Sequence, residues 1–207
     1  MKSFFTVCLI LFTCSISFSQ KSIIDKDSLK IKNIVGFSPS KTNSINGLTI
    51  KYWYDLDYSV KTNGLELDVN PLNIFFPFLA AVHFSEILKE GPPSDDINNI
   101  NTVTFDKING IRLGLASLEP ATVNGLEVNM SGSFETLLNG VSVTPLVNKH
   151  YKVNGIGVGI LGNADTQVSG MQIGLFNTCR KLRGIQLGLW NKNAKRSLPF
   201  INWQFKD

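Results

Sequence analysis

Histidine occurs only twice and cysteine three times in the 207 residues. No stretch offers about 20 consecutive apolar residues. The last of these absences excludes a membrane-spanning helix from the mature chain. With His83 and His150 alone, neither a HExxH helix nor a paired Cys/His metal spacing is formed, and no GxSxG elbow or phosphate-binding loop occurs. Charge of one sign is also in short supply. The 20 basic and 16 acidic side chains leave +4, and the basic ones are scattered rather than clustered as nucleic-acid binding requires. No nucleic-acid partner is therefore expected, nor a metal or a cofactor.

What is abundant is apolar surface and turn chemistry. Hydrophobic residues make up 43% of the chain, including 14 Phe. That suffices for a core and argues against disorder in a chain of one-domain size. There are 17 Gly and many Asn, the residues that accept tight turns and left-handed backbone.

The first residues read as an address label. Lys2 is followed by an apolar run from Phe4 to Phe12 and a small polar segment ending Ser17-Phe18-Ser19-Gln20. This is the build of a secretory signal peptide, with cleavage expected after about residue 19. Leu11-Phe12-Thr13-Cys14 outlines a competing lipidation site at Cys14, with Phe12 and Thr13 poor residues for it. Once the signal is removed only Cys179 remains, so no internal disulfide forms and the thiol is expected to be a small buried hydrophobe.

A repeat organises the remainder. Asn46-Gly47, Asn63-Gly64, Asn109-Gly110, Asn124-Gly125, Asn139-Gly140, Asn154-Gly155, Ser169-Gly170 and Arg183-Gly184 begin similar segments. From Gly110 onward the steps are 15, 15, 15, 15 and 14 residues, whereas Gly64 to Gly110 is 46. The first residue after each glycine is Leu48, Leu65, Ile111, Leu126, Val141, Ile156, Met171 or Ile185, and the third is Ile50, Leu67, Leu113, Val128, Val143, Val158, Ile173 or Leu187. Between them sit Thr49, Glu66, Arg112, Glu127, Ser142, Gly157, Gln172 and Gln186. Alternation with period two means half-buried strands. The expectation is that the apolar positions face the core, with Val158 and Ile173 as stacked interior neighbours, and that the Asn-Gly pair is a corner. Across such a corner the apolar residue two before the glycine would fall on the same side.

Constant register favours an all-β solenoid, one coil of about 15 residues per repeat, with neighbouring coils about 4.8 Å apart. An antiparallel meander or small barrel is the alternative. The repeat domain is expected over residues 45–203, after an N-terminal segment at 20–44 and before a tail at 204–207. A partly helical insertion at about 70–107 interrupts it, the helix running from Phe75 to Lys89, and Leu198 to Trp203 forms an atypical closing unit.

Gly170-Met171-Gln172-Ile173-Gly174-Leu175-Phe176-Asn177 and Gly184-Ile185-Gln186-Leu187-Gly188-Leu189-Trp190-Asn191 resemble the units of bacterial surface repeat-containing proteins of spirochaetes and Bacteroidetes. The resemblance implies an exported or cell-surface protein and transfers no catalytic residue.

Chemistry is sparse. His83 reads as a packed side chain and His150 as a solvated loop residue, both without the partners a base requires. Asp55, Asp57 and Asp95-Asp96 lack a calcium loop's ligand series. Gly155-Ile156-Gly157-Val158-Gly159 belongs to the repeat and opens no helix, unlike a dinucleotide fingerprint. A surface is the better candidate. Trp53, Leu146, Leu161, Phe176 and Trp190, six residues after their glycines, form an apolar stripe beside Gly114, Gly159, Gly174 and Gly188. The stripe either binds another envelope protein, a second copy or a membrane surface, or is covered by the Phe75–Phe84 insertion. The sequence thus points to an exported, non-enzymatic structural or interaction module. A small outer-membrane β-barrel and a polysaccharide-acting enzyme on a β-helix are the alternatives.

Overall fold

The structure, a computed structural model, describes residues 31–40, 42–54, 59–89, 106–134 and 136–205. The expected signal peptide and Cys14 lie outside the described residues, as do Asp55, Asp57, Asp95 and Asp96. The strands are β1 (Ile31–Ser38), β2 (Ser44–Lys51), β3 (Lys61–Asp68), β4 (Asp106–Gly114), β5 (Ala121–Asn129), β6 (Gly132–Phe134), β7 (Thr136–Thr144), β8 (Val147–Lys149), β9 (Lys152–Gly159), β10 (Gly162–Ile173), β11 (Phe176–Lys192) and β12 (Ser197–Gln204). A 3-10 turn at Pro71–Phe75 leads into the single described helix, α1 (Phe76–Lys89).

The long strands stack in the order β1-β2-β3-β4-β5-β7-β9-β10-β11-β12, and the short β6 and β8 pair on the opposite side of the coil. Every pairing except β11 with β12 is parallel, and the path does not close. This is the expected β-solenoid, of about nine turns of about 15 residues, and not an antiparallel barrel. Glycine stands against glycine from Gly47 to Gly184. The stack holds one more coil than the glycines announced, because Ile34 of β1 pairs with Gly47 and adopts φ 86°. The 46-residue step hides no coils: β3 pairs directly with β4, and the insertion leaves the stack and returns.

The glycines are demanded by the stacking. At Gly140 φ is +149°, and a Cβ there would lie 1.9 Å from the carbonyl oxygen of Gly125. Ile34 escapes this because it stands at the edge of the stack, with no described strand before it.

One expectation is overturned. The apolar positions after each glycine point outward, and the polar residues between them point inward. Glu66, Arg112, Glu127, Ser142, Gln172 and Gln186 are all buried, whereas Ile111, Leu113, Leu126 and Ile156 are exposed. Val158 and Ile173 are half-buried on the outer side. The cause is the glycine itself. Strands run through the Asn-Gly pair without a corner, so inward pointing alternates undisturbed and the residue two before the glycine shares the inside with the residue two after it. The earlier row is the true apolar core, built from Ile108, Val123, Leu138, Val153, Val168 and Leu182, with Ala121 and Cys179 packed against them.

Helix α1 closes the opposite side. Phe76 and Ala80 pack with Ala116, Leu118, Phe134 and Leu146. Phe76 meets Phe134 edge-on with 4.9 Å between ring centroids. Leu88, near the other end, fits against Gly162, where a Cβ would come within 2.7 Å of its Cδ2. At the C-terminus β12 turns back antiparallel on β11, covering the last coil with a strand of unlike direction. Arg196 fixes this hairpin, donating from Nε to Asn202 Oδ1 at 2.9 Å and lying 4.7 Å over the Trp203 ring.

Candidate functional site

Two features set this molecule apart: an interior row of charged and amide side chains, and an outer strand face that is apolar and basic. The interior row runs along the stack. Lys51 contacts Asp106 at 2.5 Å and also Glu119. Arg112 lies 3.2 Å from Glu66, 3.4 Å from Asp68 and 3.6 Å from Glu127. His150 is flanked by Glu127, 3.7 Å from Nε2, and by Asp165, 2.8 Å from Nδ1. Gln172 then donates to Asp165 at 2.7 Å, Gln186 donates to Gln172 at 2.7 Å, and Asn202 donates to Gln186 at 2.9 Å. These side chains are tolerated inside because neighbouring coils set an opposite charge or a hydrogen-bond partner against them, which offsets the cost of leaving water, although Arg112 Nε and Nη1, Glu127 Oε1 and His150 Nε2 make ion-pair contacts without a hydrogen bond.

Electrostatics inside the row follow from this geometry. Burial would depress the His150 imidazole, but the charge and hydrogen bond of Asp165 and the nearby charge of Glu127 prevail and hold its pKa up at about 9. Burial likewise opposes ionisation of Glu127, yet the nearby His150 and Arg112 charges, with the Ser133 hydroxyl donating to it at 2.8 Å, pull it down to about 2. Glu66 is pushed up, burial being the largest cause. Its direction fits a row in which, among the described residues, six buried carboxyls (Glu66, Asp68, Asp106, Glu119, Glu127, Asp165) share the interior with the buried side chains of Lys51, Arg112 and His150. Lys51 and Arg112 are held firmly protonated by the carboxylates around them, against the effect of burial. The Cys179 thiol, buried and near Asp165, is pushed well above its ordinary value.

The outer face has the opposite character. On the nine strands that carry the repeat, the outward positions from three residues before each glycine to three after contain no Asp or Glu. Their charged residues are Lys61, Lys107, Lys152, Lys181 and Arg183, all exposed. Indeed every acidic side chain described is buried. Beside the lysine row runs a ladder of asparagines, in which Asn46, Asn63, Asn109, Asn124, Asn139 and Asn154 each donate to the asparagine of the preceding coil at 2.8 to 2.9 Å. The two apolar rows follow. β12 extends them, because Trp203 pairs with Ile185 and Ile201 with Leu187. At this end a groove of about 450 Å³ is lined by Val158, Ile173 and Leu187 on one side, Ile160, Leu175 and Leu189 on the other, with Phe200 beside it. Its floor is the glycine track of Gly174 and Gly188.

The stripe named from the sequence is divided by the fold. Leu146 is packed under α1, as a covering insertion implies. Leu161 is half-buried, and Trp53 is exposed near the other end of the stack. Phe176 pairs with Gly162 rather than with Leu161, because β10 and β11 are offset by 14 residues. With Trp190 it remains exposed.

His150 is wholly buried, so the reading of it as a solvated loop residue is corrected. It follows β8, where Asn148 also points inward. His83 lies half-buried on α1, and Gly155–Gly159 is in strand β9. The lysine row went unnoticed in the sequence, although Lys61, Lys107, Lys152 and Lys181 all stand three residues before their glycines. No family model, curated protein or solved structure matches the chain.

Proposed function

We propose that this chain is an exported module of the cell envelope that works by presenting its outer strand face to a partner, and not by catalysis. The observation that carries the reading is the segregation of chemistry. The described acidic side chains, from Glu66 to Asp165, are sealed inside with His150 and set against Lys51, Arg112 and that histidine, while His83 lies half-buried on α1, away from the outer strand face. The face offered to solvent holds aliphatic, asparagine and lysine side chains. Such a face binds, having no general base within reach of a substrate. The three-part N-terminal segment supports export, and the resemblance of the Gly-aliphatic-Gln-aliphatic-Gly units to bacterial surface repeats supports the envelope.

Fractionation of the producing cells, followed by protease treatment of intact cells, tests the reading. Release into the medium or digestion at the surface is expected, with the N-terminus of the recovered protein beginning near residue 20. An intact chain starting at Met1 and recovered only with cytoplasmic markers would overturn it.

A further inference from the structure

We infer that the outer strand face is a docking surface for an anionic lipid bilayer, the lysine row meeting headgroup phosphates and the apolar rows entering the headgroup–acyl boundary. This deepens the function proposed above and rests on the same face.

The first observation is area. Nine strands about 4.8 Å apart, each offering two outward apolar residues that together occupy about 14 Å of strand, make a strip with a footprint of roughly 600 Å². That is at the upper end of what a monomer exposes and close to the roughly 800 Å² per partner of a stable interface. Val35, Phe37, Ile111, Leu113, Leu126 and Ile156 of these rows are exposed and the others half-buried beside them, while Trp203 on β12 is 45% exposed.

The second observation is charge, and it selects the occupant. The outward positions hold Lys61, Lys107, Lys152, Lys181 and Arg183 with no carboxylate among them. A second copy docked with its strands in the same sense would bring the cationic rows against their own kind and meet repulsion, and one docked with its strands reversed would leave both lysine rows without a counter-charge. An anionic surface would not, and it also fits the order of chemistry across the strand. Each lysine stands four residues before an apolar residue of its own strand, within about 13 Å, which is the amphipathic arrangement of proteins that lie in a membrane interface. Trp203 at the closing hairpin adds an amphipathic ring of the kind that settles at headgroup depth, and exposed Phe200 adds apolar surface there. Arg196, stacked on Trp203, puts a further cation there.

The test uses the purified mature chain and unilamellar vesicles of phosphatidylcholine, alone or with phosphatidylglycerol. Sedimentation should show binding that rises with the phosphatidylglycerol fraction and weakens at high salt, as screening requires. Replacing Lys61, Lys107, Lys152 and Lys181 by Gln should weaken it by about fivefold per lysine. With Trp53 and Trp190 replaced by Phe, Trp203 emission should shift blue on binding and be quenched by lipids brominated on the acyl chain. Ile156→Glu, on an exposed position that leaves folding intact by circular dichroism, should abolish the blue shift. Absence of binding to anionic vesicles, or binding indifferent to both salt and the lysines, would overturn the inference. So would a stable dimer in sedimentation equilibrium that Ile156→Glu dissociates, for then a second copy covers the face. Failure here with surface exposure upheld in cells would sink the lipid partner and leave the envelope reading. Vesicle binding by a chain that cells retain in the cytoplasm would do the reverse.

Discussion

His150 places Nδ1 2.8 Å from Asp165 Oδ1 and Nε2 3.7 Å from Glu127 Oε2, and no part of the ring reaches solvent. A histidine between two carboxylates from different coils ties those coils together only while it carries its proton.

The pH dependence follows. The folded pKa of His150, about 9, is above the ordinary 6.5, so its contribution is complete below about pH 6.5 and is lost as pH rises through 9. Glu127, at about 2 against an ordinary 4.5, contributes above about pH 4.5 and fails as pH falls towards 2. Thermal unfolding should therefore show greatest stability between these limits and a falling Tm from pH 6.5 to 9. In His150→Gln the alkaline slope should flatten, while the whole curve drops by about 3 kcal/mol because two buried carboxylates lose their partner. An unchanged slope would show that His150 titrates elsewhere.

Which side of the strand faces inward is tested by a pair of substitutions in β9. Val153 is fully buried in the apolar cluster and Val158 lines the outer groove. Val153→Asp should cost several kcal/mol through an unpaired buried charge. Val158→Asp should cost about 1 kcal/mol or less, since its carboxylate remains in water. Urea denaturation of the two variants decides it, and equal losses would restore the arrangement in which both point inward.

The sequence disclosed period, strand positions, parallel register and the helical insertion, because each depends on spacing along the chain. It did not disclose which side was inside. Period-two alternation at Ile111, Arg112 and Leu113 marks two faces without labelling them, and assigning apolar residues to the core is the natural choice for an isolated strand. In a stack, Arg112 gains Glu66, Asp68 and Glu127 from neighbouring coils, and these partners are invisible until the coils are superposed. The lysine row was legible in the same columns that revealed the glycines. His150 was misread because its partners, Glu127 and Asp165, are 23 residues before it and 15 after.

The glycine column makes a prediction of its own. A methyl group at position 140 would stand 1.9 Å from a backbone oxygen that cannot move without breaking the ladder, at a φ that L-residues avoid. Gly140→Ala should cost roughly 3 kcal/mol or more, combining positive-φ strain with overpacking. Gly157, with no positive φ and with the Asn163 Oδ1 side-chain atom 3.2 Å away as the nearest contact, is the control. Gly157→Ala should stay within about 1 kcal/mol, since one side-chain oxygen has only to yield by a few tenths of an ångström. Chemical denaturation midpoints at matched slopes give the comparison.

Two asparagine ladders separate the effect of burial from that of hydrogen bonding. Asn124 is partly exposed and takes part in two rungs, donating to Asn109 and accepting from Asn139, each at 2.8 Å. Asn163 is fully buried, accepts from Asn148 at 3.0 Å and donates to Asn177 at 2.7 Å and to the Ile173 carbonyl at 2.9 Å. Substituting leucine at 124 removes bonds whose broken ends water re-satisfies, so about 1 kcal/mol is expected. Substituting leucine at 163 leaves the Asn148 amide and the Asn177 and Ile173 oxygens without a partner in a dry interior, each at a cost of about 1 to 3 kcal/mol. Asn163→Leu should consequently lower stability at least three times as much as Asn124→Leu. Hydrogen exchange should show the difference spatially, with protection lost in β8, β10 and β11 for the inner variant and only near β4, β5 and β7 for the outer one. Equal losses in the two ladders would mean that water reaches the inner row, and the polar interior would then be a wet channel and not a sealed one.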